Sequence, residues 1–206
     1  MALADDPLPG EEDEDRALLA AVHEALSQAR AALADRLDFG RGCPRCCYGP
    51  FPINVLDARR LRRGLAELSA RAPERAPAVV RRARAQAERI APAFPGSSAV
   101  LNDDDDAVEA FCARFAAEPC PVLDGATGRC ELYAARPIAC RTFGPPVHIG
   151  TQDLPPCDWC FSGTPEDAAR AAAVVDAEGR EDALLTRIED AGTRGDTVIA
   201  LALART

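Results

Sequence analysis

The sequence predicts a mainly α-helical fold, a small helical bundle interrupted by one irregular cysteine-rich segment. Three observations predict it. Leucine and other apolar residues recur at three-to-four spacing over several stretches, the period of a helix with one buried face. The apolar 48% of the chain is rich in alanine while only 5% is aromatic, a composition suited to closely packed helices. Residues 118–163 are dense in proline and glycine, which breaks both helical and strand periods.

Each element can be justified in order. Residues 1–12 carry acids and prolines and are expected to form a disordered tail, leaving 13–206 as a single helical domain. From about Glu14 to Leu37, the series Leu18, Leu19, Val22, Leu26, Leu33 and Leu37 marks an amphipathic helix, which Gly40 and Gly42 stop. Pro50 and Pro52 keep the next stretch extended. Asn54 or Asp57 then caps a helix carrying Leu56, Leu61, Leu65 and Leu68. A third helix runs from about Glu74 to Ile90 and ends before Pro92 and Pro95. Residues 96–103 read as a loop. The acids of Asp103–Asp106 suit the positive end of a helix that places Val108, Phe111, Cys112 and Phe115 on one face. After the irregular segment, Thr164 caps a helix with Pro165 in its first turn, expected to run to about Ala177. A further helix is expected over 180–191, and the apolar stretch 196–204 suits either helix or strand, with helix preferred.

Charge excludes several functions. The net charge is −9 and all 24 basic residues are arginine. Without lysine there is no Schiff-base chemistry and no phosphate-loop lysine. So acidic a chain is not expected to bind nucleic acid, which depends on neutralising phosphates. The arginine-dense stretches 59–63 and 81–89 read as solvated helix faces. The N-terminal acids and prolines do not resemble a secretory signal, and no run approaches the roughly 18 apolar residues of a membrane span. The expected location is cytoplasmic, where thiols stay reduced. With two histidines, His23 and His148, no Ser/His/Asp or Cys/His catalytic arrangement can be argued.

The cysteines carry the chemistry. Cys43, Cys46 and Cys47 form one group, Cys120, Cys130 and Cys140 a second, and Cys157 and Cys160 a Cys-x-x-Cys pair. Nine cysteines is an odd number, which suits paired disulfides badly. Clustered thiolates in a reducing compartment hold a soft or borderline metal ion, so the bundle is read as carrying a metal-binding segment at about 39–163. Ordering such a segment costs roughly 1–2 kcal/mol per residue, and structural zinc contributes on the order of 10–16 kcal/mol. Zinc and iron, the latter alone or in an iron–sulfur cluster, both accept such ligands. Eight thiols exceed the four of one tetrahedral centre, leaving two sites or one polynuclear site open. Arg136 and Arg141 flank the thiols and are read as cationic groups offsetting thiolate charge, with Tyr133 and Phe143 packing around the site. His148 is an alternative ligand, Cys112 a core residue, and Asp103–Asp106 a helix start.

The run Cys130-x-Leu-Tyr-x-x-Arg-Pro-x-x-Cys140-Arg-x-Phe143, preceded by Cys120-Pro-x-Leu-Asp and Cys43-x-x-Cys-Cys, resembles the YkgJ-type cysteine-cluster family. The resemblance covers about Phe39 to Cys160. It implies a zinc- or iron-chelating domain with Cys43, Cys46, Cys47, Cys120, Cys130 and Cys140 as ligands, and Cys157 matching a later cysteine. Many members carry one more cysteine three residues before Cys43; here that position is Gly40, and Cys160 is a candidate to compensate. A related domain occurs in flagellin lysine methylases. The expectation is therefore a metal-binding protein in a structural, storage or delivery role. The alternative is an iron–sulfur enzyme or enzyme accessory in redox or methyl-transfer chemistry, so whether the chain is itself an enzyme stays open. A third reading is an interaction module meeting a protein partner of unknown identity.

Overall fold

The computed structural model describes residues 7–33, 35–37, 43–149, 152–176 and 178–205. About half of the described residues are helical, and the strands are short. In chain order the elements are α1 (Glu11–Ala32), α2 (Val55–Arg71), α3 (Ala76–Ile90), β1 (Gly96–Ser97), β2 (Val100–Leu101), α4 (Asp105–Arg114), β3 (Leu123–Asp124), β4 (Arg129–Cys130), α5 (Ile138–Thr142), β5 (Val147–Ile149), β6 (Gln152–Leu154), α6 (Pro165–Arg170), β7 (Ala173–Val175), α7 (Arg180–Asp190) and α8 (Ile199–Ala204). They form two compact units. The first holds α2 to β4 and α8; the second holds α1 and α5 to α7 with β5 to β7.

In the first unit α2 begins where Asn54, one of the two N-caps the sequence suggested, accepts a hydrogen bond from the Asp57 amide at 2.9 Å. Its buried face is Leu56, Leu61, Leu65 and Leu68. The short α8 is apolar nearly all round because it packs against both α3 and α2. Ile53 and Thr197 exchange two backbone hydrogen bonds of 2.8 and 2.9 Å, fixing the entry to α8. Arg62 and Arg84 donate to the carbonyls of Ala202 and Ala204 at 3.0 and 3.1 Å, satisfying groups at the helix end that have no partner within the helix. Ile90, Leu101, Phe111, Val198 and Ala200 form a core cluster, with Val108, Cys112 and Phe115 packed against it as the α4 pattern predicts. Phe94 meets Phe111 edge-to-face at 5.7 Å.

In the second unit α1 buries Leu18, Val22, Leu26 and Ala29 and packs against β7, α7 and α5. The three-stranded sheet has the order β6-β5-β7, with β5 antiparallel to β6 and parallel to β7. Arg187 of α7 pairs with Glu14 of α1.

Several expectations shift. Glu11 and Glu12, assigned to the tail 1–12, belong to α1; residues 1–6 lie outside the described residues, as do Gly40 and Gly42. The first helix ends at Ala32 rather than near Leu37, and Leu37 instead bridges Phe161. The expected loop 96–103 contains the β1–β2 hairpin, whose turn places Ser98 at φ 52° and Ala99 at φ 68°. The helix expected from Thr164 to Ala177 stops at Arg170. Its start is as predicted, with a capping box between Thr164 and Asp167. Ala173–Val175 then form a strand, because Val174 and Val175 favour the pleat and alternate exposed and buried beside β5. The arginines of 59–63 are not all solvated: Arg59 and Arg60 are buried, Arg60 with its guanidinium 2.6 Å from Asp57 one turn earlier. Among the described residues no helix is long and apolar enough to cross a membrane.

Candidate metal centre

Three backbone segments bring four cysteines of the first unit together. The Cys46–Cys47 turn is closed by the Cys47 amide donating to the Pro44 carbonyl at 2.8 Å. The Gly49 amide donates to Glu118 at 2.7 Å, the Cys120 amide donates to Cys47 at 2.9 Å, and Tyr48 and Pro119 form an antiparallel bridge. This stitching sets Cys120 beside the turn. From Cys120 the chain enters the β3–β4 hairpin, in which Cys130 pairs with Leu123. The Leu123 amide donates to the Cys120 carbonyl at 2.9 Å, tying both thiol-bearing residues to one hairpin.

These thiols bear on one another's ionisation. The Cys46 thiol is held down at about 6, first because the Cys47 thiol donates to its sulfur and further by the Arg136 guanidinium. Cys47 is pushed up by giving that hydrogen bond and by burial, with Cys46, Cys120 and Cys130 adding repulsion. Burial pushes Cys120 up to about 12, and Cys130 and Cys46 act in the same direction. Cys130 is also raised, mainly by burial, against the pull of the Leu132 amide and Arg136. Soft donors gathered so that each opposes ionisation of the next suit a cation that would take up their charge. The donor chemistry therefore fits zinc or iron. Among the described residues, no three His, Cys, Asp or Glu side chains already stand as a group arranged to hold a metal ion.

Residues 40–160, more than half of the chain, match the model of a family named for its CxxCxxCC cysteine pattern and described as a proposed zinc- or iron-chelating domain. The chain belongs to the CxxCxxCC family. Comparison with curated proteins and with solved structures finds no match. The CxxCxxCC match and the YkgJ-type resemblance are the same finding, and its limits coincide with the cysteine-bearing stretch.

The other candidates lie as follows. Cys43 is exposed at the start of the first turn. Cys140, in α5, and Cys157 and Cys160 belong to the second unit. There the Cys157 amide donates to the Gly144 carbonyl at 3.0 Å, and the Cys160 thiol and amide both point at the Cys157 carbonyl, at 3.7 and 3.1 Å. All nine cysteines are free thiols. Burial raises Cys112, which sits half-buried against the α4 core. Arg136 stacks over the Tyr133 ring at 3.6 Å while lowering Cys46 and Cys130. Arg141 follows Cys140 in α5. Tyr133 and Phe143, expected to pack around the thiols, are 60% and 51% exposed. His148 pairs instead with Asp153 across β5–β6, its Nδ1 2.7 Å from the carboxylate.

Residues beside the thiols that sequence reasoning missed lie on α3. Arg82, Gln86 and Arg89, spaced by four and three, share one helix face. Arg82 donates to the Pro121 carbonyl at 2.8 Å and pairs with Glu131. Gln86 donates to the Pro119 carbonyl at 3.2 Å, and Arg89 pairs with Glu118 at 2.7 Å. Arg75, just before α3, donates to Glu131 at 3.0 Å. This corrects the reading of 81–89 as a merely solvated face. The four-and-three spacing was visible in the sequence, but its partners were not.

Proposed function

We propose that this chain chelates zinc or iron, with Cys46, Cys47, Cys120 and Cys130 as the principal thiol set. Cys43, Cys140, Cys157 and Cys160 are the further ligand candidates. The observation that carries the reading is the backbone stitching that sets Cys120, and the hairpin bearing Cys130, beside the Cys46–Cys47 turn of a CxxCxxCC domain. A storage or delivery role is read ahead of a purely structural one because the first unit has its own apolar core, so its folding does not rest on a metal alone.

The test is anaerobic purification followed by measurement of zinc, iron and acid-labile sulfide per chain, with a visible spectrum. About one or two equivalents of zinc, or of iron without sulfide, are expected. Labile sulfide with a brown colour would move the assignment to an iron–sulfur protein. A folded chain that neither retains nor takes up zinc or iron would overturn the proposal.

A further inference from the structure

We propose that Glu131, gripped by Arg75 and Arg82, is a positioning residue that aims Cys120 and Cys130 at the Cys46–Cys47 turn. The proposal rests on the metal-binding reading above and extends it to residues that bear no thiol.

The Glu131 side chain is 6% exposed, and each carboxylate oxygen takes one arginine: Oε2 from Arg75 and Oε1 from Arg82. A buried carboxylate with two guanidinium partners is a fixed point, unlike a solvated surface pair. It is also one residue from Cys130. The Glu131 amide donates to the Val122 carbonyl at 2.8 Å, so the same residue closes the hairpin two residues beyond Cys120. Around Cys120 the grip is repeated: the carbonyls of Pro119 and Pro121, its two neighbours, are held by Gln86 and Arg82 of the same α3 face. Prolines lack an amide hydrogen for a strand ladder, and their carbonyls are here taken by side chains. Both thiol-bearing residues are thus fastened to one helix by contacts made within one residue of each sulfur.

Holding ligands in place slows metal loss, and removing an outer partner of a metal ligand typically weakens binding on the order of 10–100-fold. Glu131→Gln keeps the shape and one acceptor oxygen but removes the charge. Two measurements are made on the full chain. The first is the rate at which loaded zinc passes to an excess of chelator. The second, on metal-free protein, is the alkylation rate of each cysteine by iodoacetamide, resolved by mass spectrometry. Glu131→Gln is expected to release zinc on the order of 10-fold faster. It should also speed alkylation of Cys120 and Cys130 several-fold while leaving Cys112 unchanged. Ile90→Val, at the end of α3 but in the core cluster, weakens packing without removing any hydrogen bond of the grip and controls for general loosening.

Release and alkylation both within about twofold of the parent would overturn the proposal, as would equal acceleration in Ile90→Val. Should Glu131→Gln fail to fold, Arg75→Gln and Arg82→Gln each leave one ion pair and are expected to show the same changes at smaller amplitude. The alkylation arm needs no metal. A parent chain that takes up no zinc therefore defeats the metal-binding reading, while the alkylation result still decides whether Glu131 positions the thiols.

Discussion

Gly64, in the middle of α2, is where a normally stabilising substitution should destabilise. Replacing an interior helical glycine by alanine ordinarily contributes about 0.5–1 kcal/mol, because the unfolded chain loses freedom and the helix gains a better former. Here a Cβ on Gly64 would lie 2.4 Å from the Ala135 Cβ, with the Ala135 Cα at 3.9 Å and Leu132 Cδ2 at 4.0 Å. Carbon atoms prefer about 3.5–4.0 Å, so the helix and the 133–135 turn must part by more than 1 Å. Overpacking of this kind costs about 1–3 kcal/mol. The balance is a net loss of about 0.5–2 kcal/mol for Gly64→Ala. Urea unfolding of the metal-free chain, followed by far-ultraviolet circular dichroism, measures it. The cause is isolated by Gly64→Ala combined with Ala135→Gly, which removes the opposing methyl and should recover most of the loss relative to Ala135→Gly alone. A Gly64→Ala protein as stable as the parent, or a double variant with no recovery, would refute the contact.

Three further predictions follow from other parts of the chain. Cys130→Ser should lower bound zinc or iron per chain at least severalfold, whereas Cys112→Ser, in the α4 core, should leave it unchanged; elemental analysis of the two variants decides, and equal metal content refutes the ligand assignment. Thr197 is fully buried and its hydroxyl has no hydrogen-bond partner among the described residues, so Thr197→Val should raise stability by about 1 kcal/mol in the same urea assay. Asp167 is held below the usual carboxylate range, first by the Thr164 amide, then by its hydroxyl and Arg36. A depressed folded value means its stabilisation is present above about pH 4 and fades as pH falls through that lower value. Melting temperatures of Asp167→Asn should therefore fall less steeply between pH 5 and 3 than those of the parent.

What the sequence revealed, and what it concealed, divides along the range of the interactions. Thr164 caps the helix expected of it, and Asn54 is the one of the two expected candidates that caps α2. The cap of α4, Asp104, falls in the acidic run expected at a helix start, because capping is settled within three residues. The α1 and α2 faces were legible from leucine spacing for the same reason. The continuation of α6 was misread because alanine-rich composition favours a helix locally, while Val174 and Val175 are drawn into a strand by β5, more than 20 residues earlier. The thiols were legible as chemistry, since cysteine clustering needs no structure to be noticed. Their division between two units was not, because nothing in the spacing separates Cys140 from Cys130. Least legible were Arg75 and Arg82, whose shared carboxylate lies 56 and 49 residues downstream.

That hidden set changes the energetics expected of the metal. Composition suggested that metal binding is a term able to order the proline-rich segment, since its large apolar residues are scattered and its proline and glycine prevent long elements. The stretch 118–136 is instead ordered by the protein. The α3 face supplies hydrogen bonds to Glu118, Pro119, Pro121 and Glu131, and α2 receives Leu132 and Ala135 against Gly64. Hydrogen bonds to charged groups contribute about 1.5–3 kcal/mol each, so several together offset a substantial part of the ordering cost at roughly 1–2 kcal/mol per residue. A site whose ligands are ordered before the cation arrives does not unfold when the cation leaves. In a zinc finger, binding free energy is folding free energy, and release means collapse. On this reading Cys120 and Cys130 keep their hairpin in the metal-free chain, and the storage or delivery role proposed above would require it.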